Sequence, residues 1–185
     1  GSLNSVTNDA SSGNFKPDFL WIKNRSAGWS NILFDSSRGT GKSMMSDSTD
    51  AEVTNNSRGY VSAFNTDGFT VGAGSAGSAQ VNTNGQNYVG WQWKCNGGTT
   101  ASNSDGSITS TVQVNTTAGF SIVLYTGNAT VDATVGHGFS SAPDVVIVKR
   151  RSGGTGYWIV SSNDLDEQGT TGGSPDAPRN MYLND

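Results

Sequence analysis

The stretch Pro17-Asp18-Phe19-Leu20-Trp21-Ile22-Lys23-Asn24-Arg25-Ser26-Ala27-Gly28 decides the fold, because its pattern returns as Pro143-Asp144-Val145-Val146-Ile147-Val148-Lys149-Arg150-Arg151-Ser152-Gly153-Gly154. The two stretches lie 126 residues apart and align without a gap. Pro, Asp, Lys, Arg, Ser and Gly are identical at six of the twelve positions, and the four residues after the Asp are apolar in both copies. Internal similarity at a long period indicates a chain that is built from repeated structural units.

Each copy of this stretch predicts an antiparallel β-hairpin. Pro cannot donate to a sheet ladder and therefore favours the start of a strand. The four apolar residues that follow suit a strand that is buried on both faces, and Lys-x-Arg-Ser-x-Gly is typical of a polar hairpin turn. The returning strands are Trp29–Phe34 and, after one inserted residue, Gly156–Val160.

Three further segments have strand patterns. Tyr88–Lys94 alternates with period two, and we expect its core face to carry Val89, Trp91 and Trp93, opposite a face with Tyr88, Gly90, Gln92 and Lys94. Gly68–Val71 and Gly119–Tyr125 each open with Gly-Phe after a turn. A single capped helical turn is the most that Ser48–Asn56 could form. The sequence therefore predicts an all-β fold of antiparallel β-sandwich or jelly-roll-like repeat units.

The domain organisation follows from a stretch that is almost purely polar. Residues 97–107 consist of Gly, Thr, Ser, Asn and Asp with a single Ala, which is typical of a linker. We therefore expect a first β unit at residues 1–98, a linker at 99–107 and a second β unit at 108–185. When the two units are compared with each other, the first is incomplete at its N-terminal end and the second at its C-terminal end. We therefore expect the chain to be a piece of a longer one.

Composition narrows the classes of function. The net charge is −4, and the 11 Lys and Arg residues are widely spread, which argues against binding to nucleic acid. The single cysteine, Cys95, excludes an intrachain disulfide, and we expect it to be buried beside Trp91 and Trp93. No apolar stretch reaches the roughly 20 residues that cross a bilayer, so no membrane insertion is expected.

The sequence contains few residues in a pattern typical of a catalytic site. Ser36–Ser43 resembles a phosphate-binding loop, but Ser36 stands where the motif needs Gly and no amphipathic helix follows. His137 is the sole histidine, and its flanking glycines place it in a turn rather than in a catalytic triad. We therefore expect no catalytic residue, no cofactor and no enzymatic activity.

Two kinds of binding site stay open. The loops Asp47–Asp50 and Asp164–Glu167 put oxygen ligands close together, but neither fits the spacing of an EF-hand calcium loop, and we assign no metal ligand. Aromatic side chains on a sheet surface can stack against sugar rings. The candidates for such glycan stacking are Trp29, Tyr157 and Trp158, although core packing is the favoured interpretation for the tryptophans.

Three segments together resemble a repeat domain that marine bacteriophages encode: Pro17–Ser26, Gly119–Asn128, and Gly136–Phe139 with the following Pro143-Asp144. In that family such units recur along large virion-associated proteins, often beside lectin-like β modules. Arg150 departs from the family pattern, which has Asn there, and the first unit lacks the Gly-Phe-Ser opening. The resemblance implies a place on the virion surface and no catalytic residues.

The resemblance also implies a function. We expect a non-enzymatic structural module of a phage tail fibre, spike or similar appendage that serves assembly or host-surface attachment. Its partners would be other virion proteins and copies of itself, with trimers usual for fibres, and avidity would strengthen weak contacts by about 10²–10⁴-fold. The alternative is a carbohydrate-binding, lectin-like module with a host surface glycan as ligand. A polysaccharide-degrading enzyme would need two carboxylates about 5–10 Å apart in a groove.

Overall fold

A computed structural model describes residues 2–9, 11, 13–54, 56–75, 80–162 and 181–184. The described residues contain fourteen strands, no α-helix and a 3-10 turn at Asn56–Arg58. The strands are β1 (Leu3–Thr7), β2 (Phe19–Asn24), β3 (Ile32–Asp35), β4 (Lys42–Met45), β5 (Val53–Thr54), β6 (Tyr60–Asn65), β7 (Gly68–Gly72), β8 (Tyr88–Trp93), β9 (Ala101–Asn103), β10 (Ser110–Asn115), β11 (Phe120–Tyr125), β12 (Val145–Lys149), β13 (Trp158–Ser162) and β14 (Met181–Tyr182).

The strands form four antiparallel sheets. The largest has the order β5-β4-β3-β2-β8, and the others are β1-β7-β6, β9-β10-β11 and β12-β13-β14. Every pairing between these strands is antiparallel. The predicted all-β, antiparallel, sandwich-like fold is therefore confirmed.

The main core lies between the five-stranded sheet and the β1-β7-β6 sheet. On β2, Leu20 and Ile22 point into this core, whereas Phe19 and Trp21 lie on the outer face and are half-buried. Packing two sheets face to face through alternate residues is the usual construction of a β-sandwich. The buried cluster comprises Leu20, Ile22, Ile32, Phe34, Met45, Val61, Phe69, Val71 and Val81.

Strand β8 presents the face opposite to the one that its alternation predicts. Tyr88 packs against the core, and a Cβ at Gly90 would lie 3.4 Å from Phe69 Cζ. Trp91 is 48% exposed and Trp93 is 37% exposed. The expected core face was wrong because the register with β2 sets Gly90 opposite the core residue Ile22 and Trp91 opposite Trp21 of the outer face.

The two copies of the repeated stretch fold into matching three-stranded meanders, which we call the first meander (β2-β3-β4) and the second meander (β12-β13-β14). Phe19 pairs with Asp35 in the first, and Val145 pairs with Ser162 in the second. Corresponding residues of the two meanders are 126 positions apart on the first strand and 127 on the second. The turn between these strands therefore contains one additional residue in the second meander. Likewise Ile32 pairs with Met45, and Ile159 with Tyr182.

The turns of the two meanders also share hydrogen bonds. The repeated lysine donates its ammonium to a backbone carbonyl of the returning chain, Lys23 to Trp29 and Lys149 to Gly156. Between the second and third strands, Ser46 N donates to Asn31 O at 3.1 Å, and Leu183 N donates to Trp158 O at 3.2 Å. The identical residues of the repeat thus make the same local structure twice.

The second meander packs on the outer face of the first through one corner. Trp158 is buried against Leu33 and Met44, and its Nε1 donates to Met45 O at 2.8 Å. Lys149 Nζ donates to Thr49 O at 2.8 Å. The remainder of β12 is exposed at Val145, Val146 and Ile147, so the expectation that this apolar run is buried on both faces was wrong.

Two smaller expectations also differ from the structure. Ser48–Asn56 contains no α-helix within its described residues, only the first residue of the 3-10 turn at Asn56–Arg58, and it includes β5, because Val53 pairs with Ser43 of β4. The predicted linker at 99–107 contains β9, which pairs with β10. A polar stretch can form an edge strand there because backbone hydrogen bonds to β10 supply the pairing without apolar side chains. The unit boundaries themselves stay predictions.

Candidate functional site

Five aromatic side chains line the outer face of the sandwich where β8 forms its edge. Antiparallel register sets Trp21 opposite Trp91 and Phe19 opposite Trp93, and Phe120 of β11 adjoins them. Ring centroids are 6.2 Å apart for Trp21 and Trp91 and 5.4 Å apart for Phe19 and Trp93, both edge-to-face. Trp93 stacks on Phe120 at 6.2 Å with 16° between the planes. We call these five residues the aromatic shelf.

Three residues of the shelf are half-buried, and the other two have exposed rings. Phe19 and Trp21 are half-buried and pack against the cluster that contains Leu33, Met44 and Trp158. Trp91 and Trp93 lie on the edge strand and remain exposed. Exposed aromatic faces on a rigid sheet suit stacking against the apolar faces of sugar rings or against other flat, partly apolar groups. The arrangement is chemically a binding surface.

A buried polar network fixes the Trp93 end of the shelf. Asp18, which precedes β2, is fully buried, and its carboxylate accepts hydrogen bonds from Ser36 Oγ at 2.7 Å, Cys95 N at 2.7 Å and Gly97 N at 2.9 Å. A buried carboxylate needs such hydrogen-bond donors, because an unpaired polar group is costly to bury. The carboxylate therefore joins the start of β2 to the chain that leaves β8.

The amide of Gln113 extends this network to the third sheet. Its Oε1 accepts from Gly98 N at 2.8 Å and Asn96 N at 3.1 Å, while its Nε2 donates to Ser37 Oγ at 2.7 Å. Gln113 belongs to β10 and is fully buried. Because β10 pairs with β11, the network also positions Phe120 beside Trp93.

Cys95 has a structural role in the same region. It is buried, as its sequence context predicts, and its thiol donates to Gln113 O at 2.9 Å. Burial, assisted by the negative charge of Asp18, raises the pKa of this thiol from 9.0 to about 11. Since the thiolate is the nucleophilic form, Cys95 stays protonated and unreactive near neutral pH.

The other groups with catalytic potential also serve local structure. His137 Nδ1 accepts a hydrogen bond from Phe139 N at 3.1 Å, and the two rings are 5.5 Å apart. Ser36–Ser43, the stretch that resembles a phosphate-binding loop, is the turn between β3 and β4 together with the first residues of β4. Within it, Arg38 is buried and forms ion pairs with Asp35 and Glu52.

Clusters of metal-ligating side chains and membrane-spanning helices are absent from the described part of the chain. There, no three His, Cys, Asp or Glu side chains come together as a metal site would require, and no helix is long and apolar enough to span a membrane. Asp47 Oδ1 accepts from Asn31 N at 3.2 Å. The loop Asp164–Glu167, the second acidic candidate, lies outside the described residues.

The residues that the sequence suggests for glycan stacking occupy different environments. Tyr157 is 54% exposed, and its ring centroid lies 4.8 Å from that of Tyr182. Trp29 is half-buried in the turn before β3. Trp158 is only 5% exposed, so its predicted stacking role was wrong and its core packing is confirmed. Sequence reasoning missed Trp91 and Trp93 as exposed rings, although their i, i+2 spacing did place both on one face.

The fold and the shelf define an all-β module with an exposed aromatic surface. The sequence profile of a family described as "Domain of unknown function (DUF7483)" matches residues 2–172, and the chain therefore belongs to that family. The matched range crosses the polar stretch near residue 100. No curated protein and no solved structure matches the chain.

Proposed function

We propose that the chain is a non-enzymatic module of a bacteriophage appendage, such as a tail fibre or spike, and that it serves assembly or attachment to a host surface. The observation that carries this proposal is the aromatic shelf, because it offers a binding surface on a rigid sheet. The groups that could supply chemistry, namely Asp18, Cys95 and His137, hold the fold together instead.

The assignment to a virion is supported by the residues that resemble phage repeat domains and by the internal repeat. A module that is built from repeated sheets can present the same weak contact many times along a fibre. Multivalent presentation of this kind raises overall binding by about 10²–10⁴-fold when the geometry allows several contacts at once. High affinity at a single site is then unnecessary.

Immunogold electron microscopy of purified phage particles tests this assignment. Antibodies raised against the folded chain are expected to label an appendage of intact particles that carry the gene. Particles from a phage that lacks the gene serve as the control. Absence of the protein from purified particles, together with its presence in infected-cell lysate, would contradict the proposal.

A second candidate function, glycan binding, is favoured by the exposure of Trp91 and Trp93. By comparison with aromatic pairs, a sugar that stacks on one exposed ring gains on the order of 1 kcal/mol beyond area burial. Two adjacent rings can engage a short oligosaccharide. The half-buried Phe19 and Trp21 flank the exposed rings edge-to-face on the same side of the sheet. The surface is open and is not a deep pocket, which suits an extended polymer.

Titration with bacterial surface oligosaccharides tests this second function. Binding measured by tryptophan fluorescence and calorimetry is expected to fall at least about tenfold in Trp91→Ala and in Trp93→Ala, since each loses one stacking ring. Tyr125→Ala, which removes an exposed aromatic ring outside the shelf, is the matched control and should bind as the wild type does. Equal loss in the control would dismiss the shelf as the glycan site.

A further inference from the structure

The second meander exposes the face that forms the core in the first. By the shared register, Leu20 and Ile22 of β2 correspond to Val146 and Val148 of β12, and Ile32 of β3 corresponds to Ile159 of β13. The three residues of the first meander are buried in the sandwich core. We call the corresponding surface of the second meander the open face, consisting of Val146, Val148, Ile159 and Tyr182.

The open face is apolar apart from Ser161, which lies at the position of Phe34, and the described part of the chain leaves it largely uncovered. Val146 is 41% exposed, Ile159 is 38% exposed, and Tyr182 is 46% exposed. Tyr182 corresponds to Met45, which is buried in the first meander. Contiguous exposed apolar side chains on a sheet mark an interaction surface. In water these side chains lack the favourable free energy that burial would give them.

The first meander shows what covers such a face. The hairpin β6-β7 lies over it and contributes Val61, Phe69 and Val71 to the shared core. The next strand, β8, then pairs with the free edge of β2. One continuous segment, Tyr60–Trp93, thus covers the face and closes the edge.

The second meander lacks both partners in the described part of the chain. Among the described residues, strand β12 is at the end of its sheet and pairs only with β13, so no described strand occupies the edge that corresponds to the β2-β8 pairing. Unpaired edges next to an apolar face readily accept another β-strand. A single β-segment could therefore cover the apolar face and also pair with the edge of β12.

We propose that the open face is a docking site for a β-segment of the same kind as Tyr60–Trp93, which would complete a second sandwich. The fitting hairpin carries alternate Val, Phe and Val side chains and is almost uncharged, like Tyr60–Gly72, which has Asp67 in its turn as its sole charged residue. A face-to-face pair of identical chains would cover the apolar side chains but leave the edge of β12 unpaired. The proposal does not depend on where the protein acts.

An extended chain tests the proposal. Trp158 N donates to Asn184 Oδ1 at 2.7 Å just as Asn31 N donates to Asp47 Oδ1, so Asn184 corresponds to Asp47. A second copy of residues 48–97 that carries Cys95→Ala, so that it adds no thiol, is therefore attached directly after Asn184. A cysteine placed by Val146→Cys reports exposure of the open face through its rate of reaction with a thiol reagent, while Thr117→Cys in an exposed turn is the reference.

The extension is expected to slow labelling at position 146 by at least about tenfold and to leave position 117 unchanged. The matched control carries Val61→Asp and Val71→Asp in the attached copy alone, and labelling there should stay as fast as in the unextended chain. Hydrogen exchange across β12 in the unsubstituted extended chain should slow in parallel, which guards against a local effect of the cysteine.

Two results would overturn the proposal. Unchanged labelling and unchanged hydrogen exchange in the extended chain would mean that the open face does not accept this kind of segment. Protection that already occurs in the unextended chain and grows with protein concentration would mean that a second copy occupies the face instead.

Discussion

Asp18 and Asp144 occupy the same position in the two copies of the repeated stretch, yet their environments differ. Asp18 is fully buried and accepts hydrogen bonds from one hydroxyl and two backbone N–H groups, whereas Asp144 is exposed. In the first copy the chain that leaves β8 folds back over the carboxylate. A repeated residue therefore acquires its structural role from the strands that surround it and not from its local sequence.

The difference between the two aspartates predicts unequal effects of the same substitution. Asp18→Ala leaves Ser36 Oγ, Cys95 N and Gly97 N without their acceptor and is expected to lower the free energy of unfolding by about 3 kcal/mol or more. Asp144→Ala, the matched control, should change it by less than about 0.5 kcal/mol. Urea unfolding followed by tryptophan fluorescence measures both values, and equal effects would refute the role given to Asp18.

The raised pKa of Cys95 predicts a loss of stability at alkaline pH. Below pH 9 the thiol is neutral in both the folded and the unfolded chain. As the pH rises from 9 towards 11, the thiol ionises in the unfolded chain but not in the folded one, so the free energy of unfolding falls. A pKa difference of this size corresponds to about 2–3 kcal/mol.

Comparison with Cys95→Ala isolates this contribution, because other groups also titrate in the same range. The wild-type chain should lose stability relative to the variant between pH 9 and pH 11. Two parallel curves of stability against pH would contradict the assignment. Thiol labelling at pH 8 gives a second reading, and the folded chain should react only as fast as it unfolds.

At the scale of strands and turns, Glu52 is the main electrostatic link between the two meanders. Its carboxylate accepts hydrogen bonds from Arg151 Nε at 2.9 Å and Arg38 Nη1 at 3.3 Å, and its backbone N–H donates to Arg151 O at 3.0 Å. Burial opposes ionisation of Glu52, but the hydrogen bond from Arg151 and the charges of Arg38 and Arg151 outweigh it. The pKa of Glu52 therefore lies below its ordinary value of 4.5.

Removal of this charge should destabilise the packing of the second meander. Glu52→Gln leaves Asp35 as the one described anionic partner of the buried Arg38 and is expected to cost about 2–3 kcal/mol. Because the pKa of Glu52 is lowered, the contribution is present above pH 4.5 and is lost as the pH falls further, so the variant and wild type should converge in acid. Asp50→Asn, an exposed carboxylate of the same loop, is the control, and a gap that persists in acid would contradict the charge-based account.

The elements that the sequence predicts well are those whose pattern is local and repeated. Strands β2, β3, β12 and β13 follow from the apolar runs and the turn residues between them. The orientation of β8 does not, because both of its faces carry aromatic side chains, and the inner face follows from the register with β2, which sets Gly90 opposite the buried Ile22. That register depends on pairing with a distant part of the chain and leaves no signal within β8.

The same limit applies to the candidate site. The sequence favours core packing for every tryptophan in a strand, which is correct for Trp158 and wrong for Trp91 and Trp93. Exposure of the shelf depends on where the five-stranded sheet ends and on how far the second meander reaches across it. Both are properties of the tertiary structure, so alternation along one strand could not predict them.

At the scale of the whole molecule, the chain presents two apolar surfaces with different chemistry. The aromatic shelf offers flat rings on a supported sheet, which suits a ligand. The open face offers aliphatic side chains beside an unpaired strand edge, which suits another β-segment. A chain that uses one surface for attachment and the other to continue its own architecture fits a repeated module in a fibre.

Binding to bacterial cell envelopes tests the central claim, attachment through the shelf, most directly. Fluorescent beads that carry many copies of the chain are incubated with envelopes from a panel of bacteria, since clustering compensates for weak single contacts. We expect saturable binding to at least one envelope, a loss of at least about tenfold when the beads carry Trp91→Ala/Trp93→Ala, and no loss with Tyr125→Ala. Binding that is absent from every envelope, or that survives the double substitution in a folded chain, would contradict it.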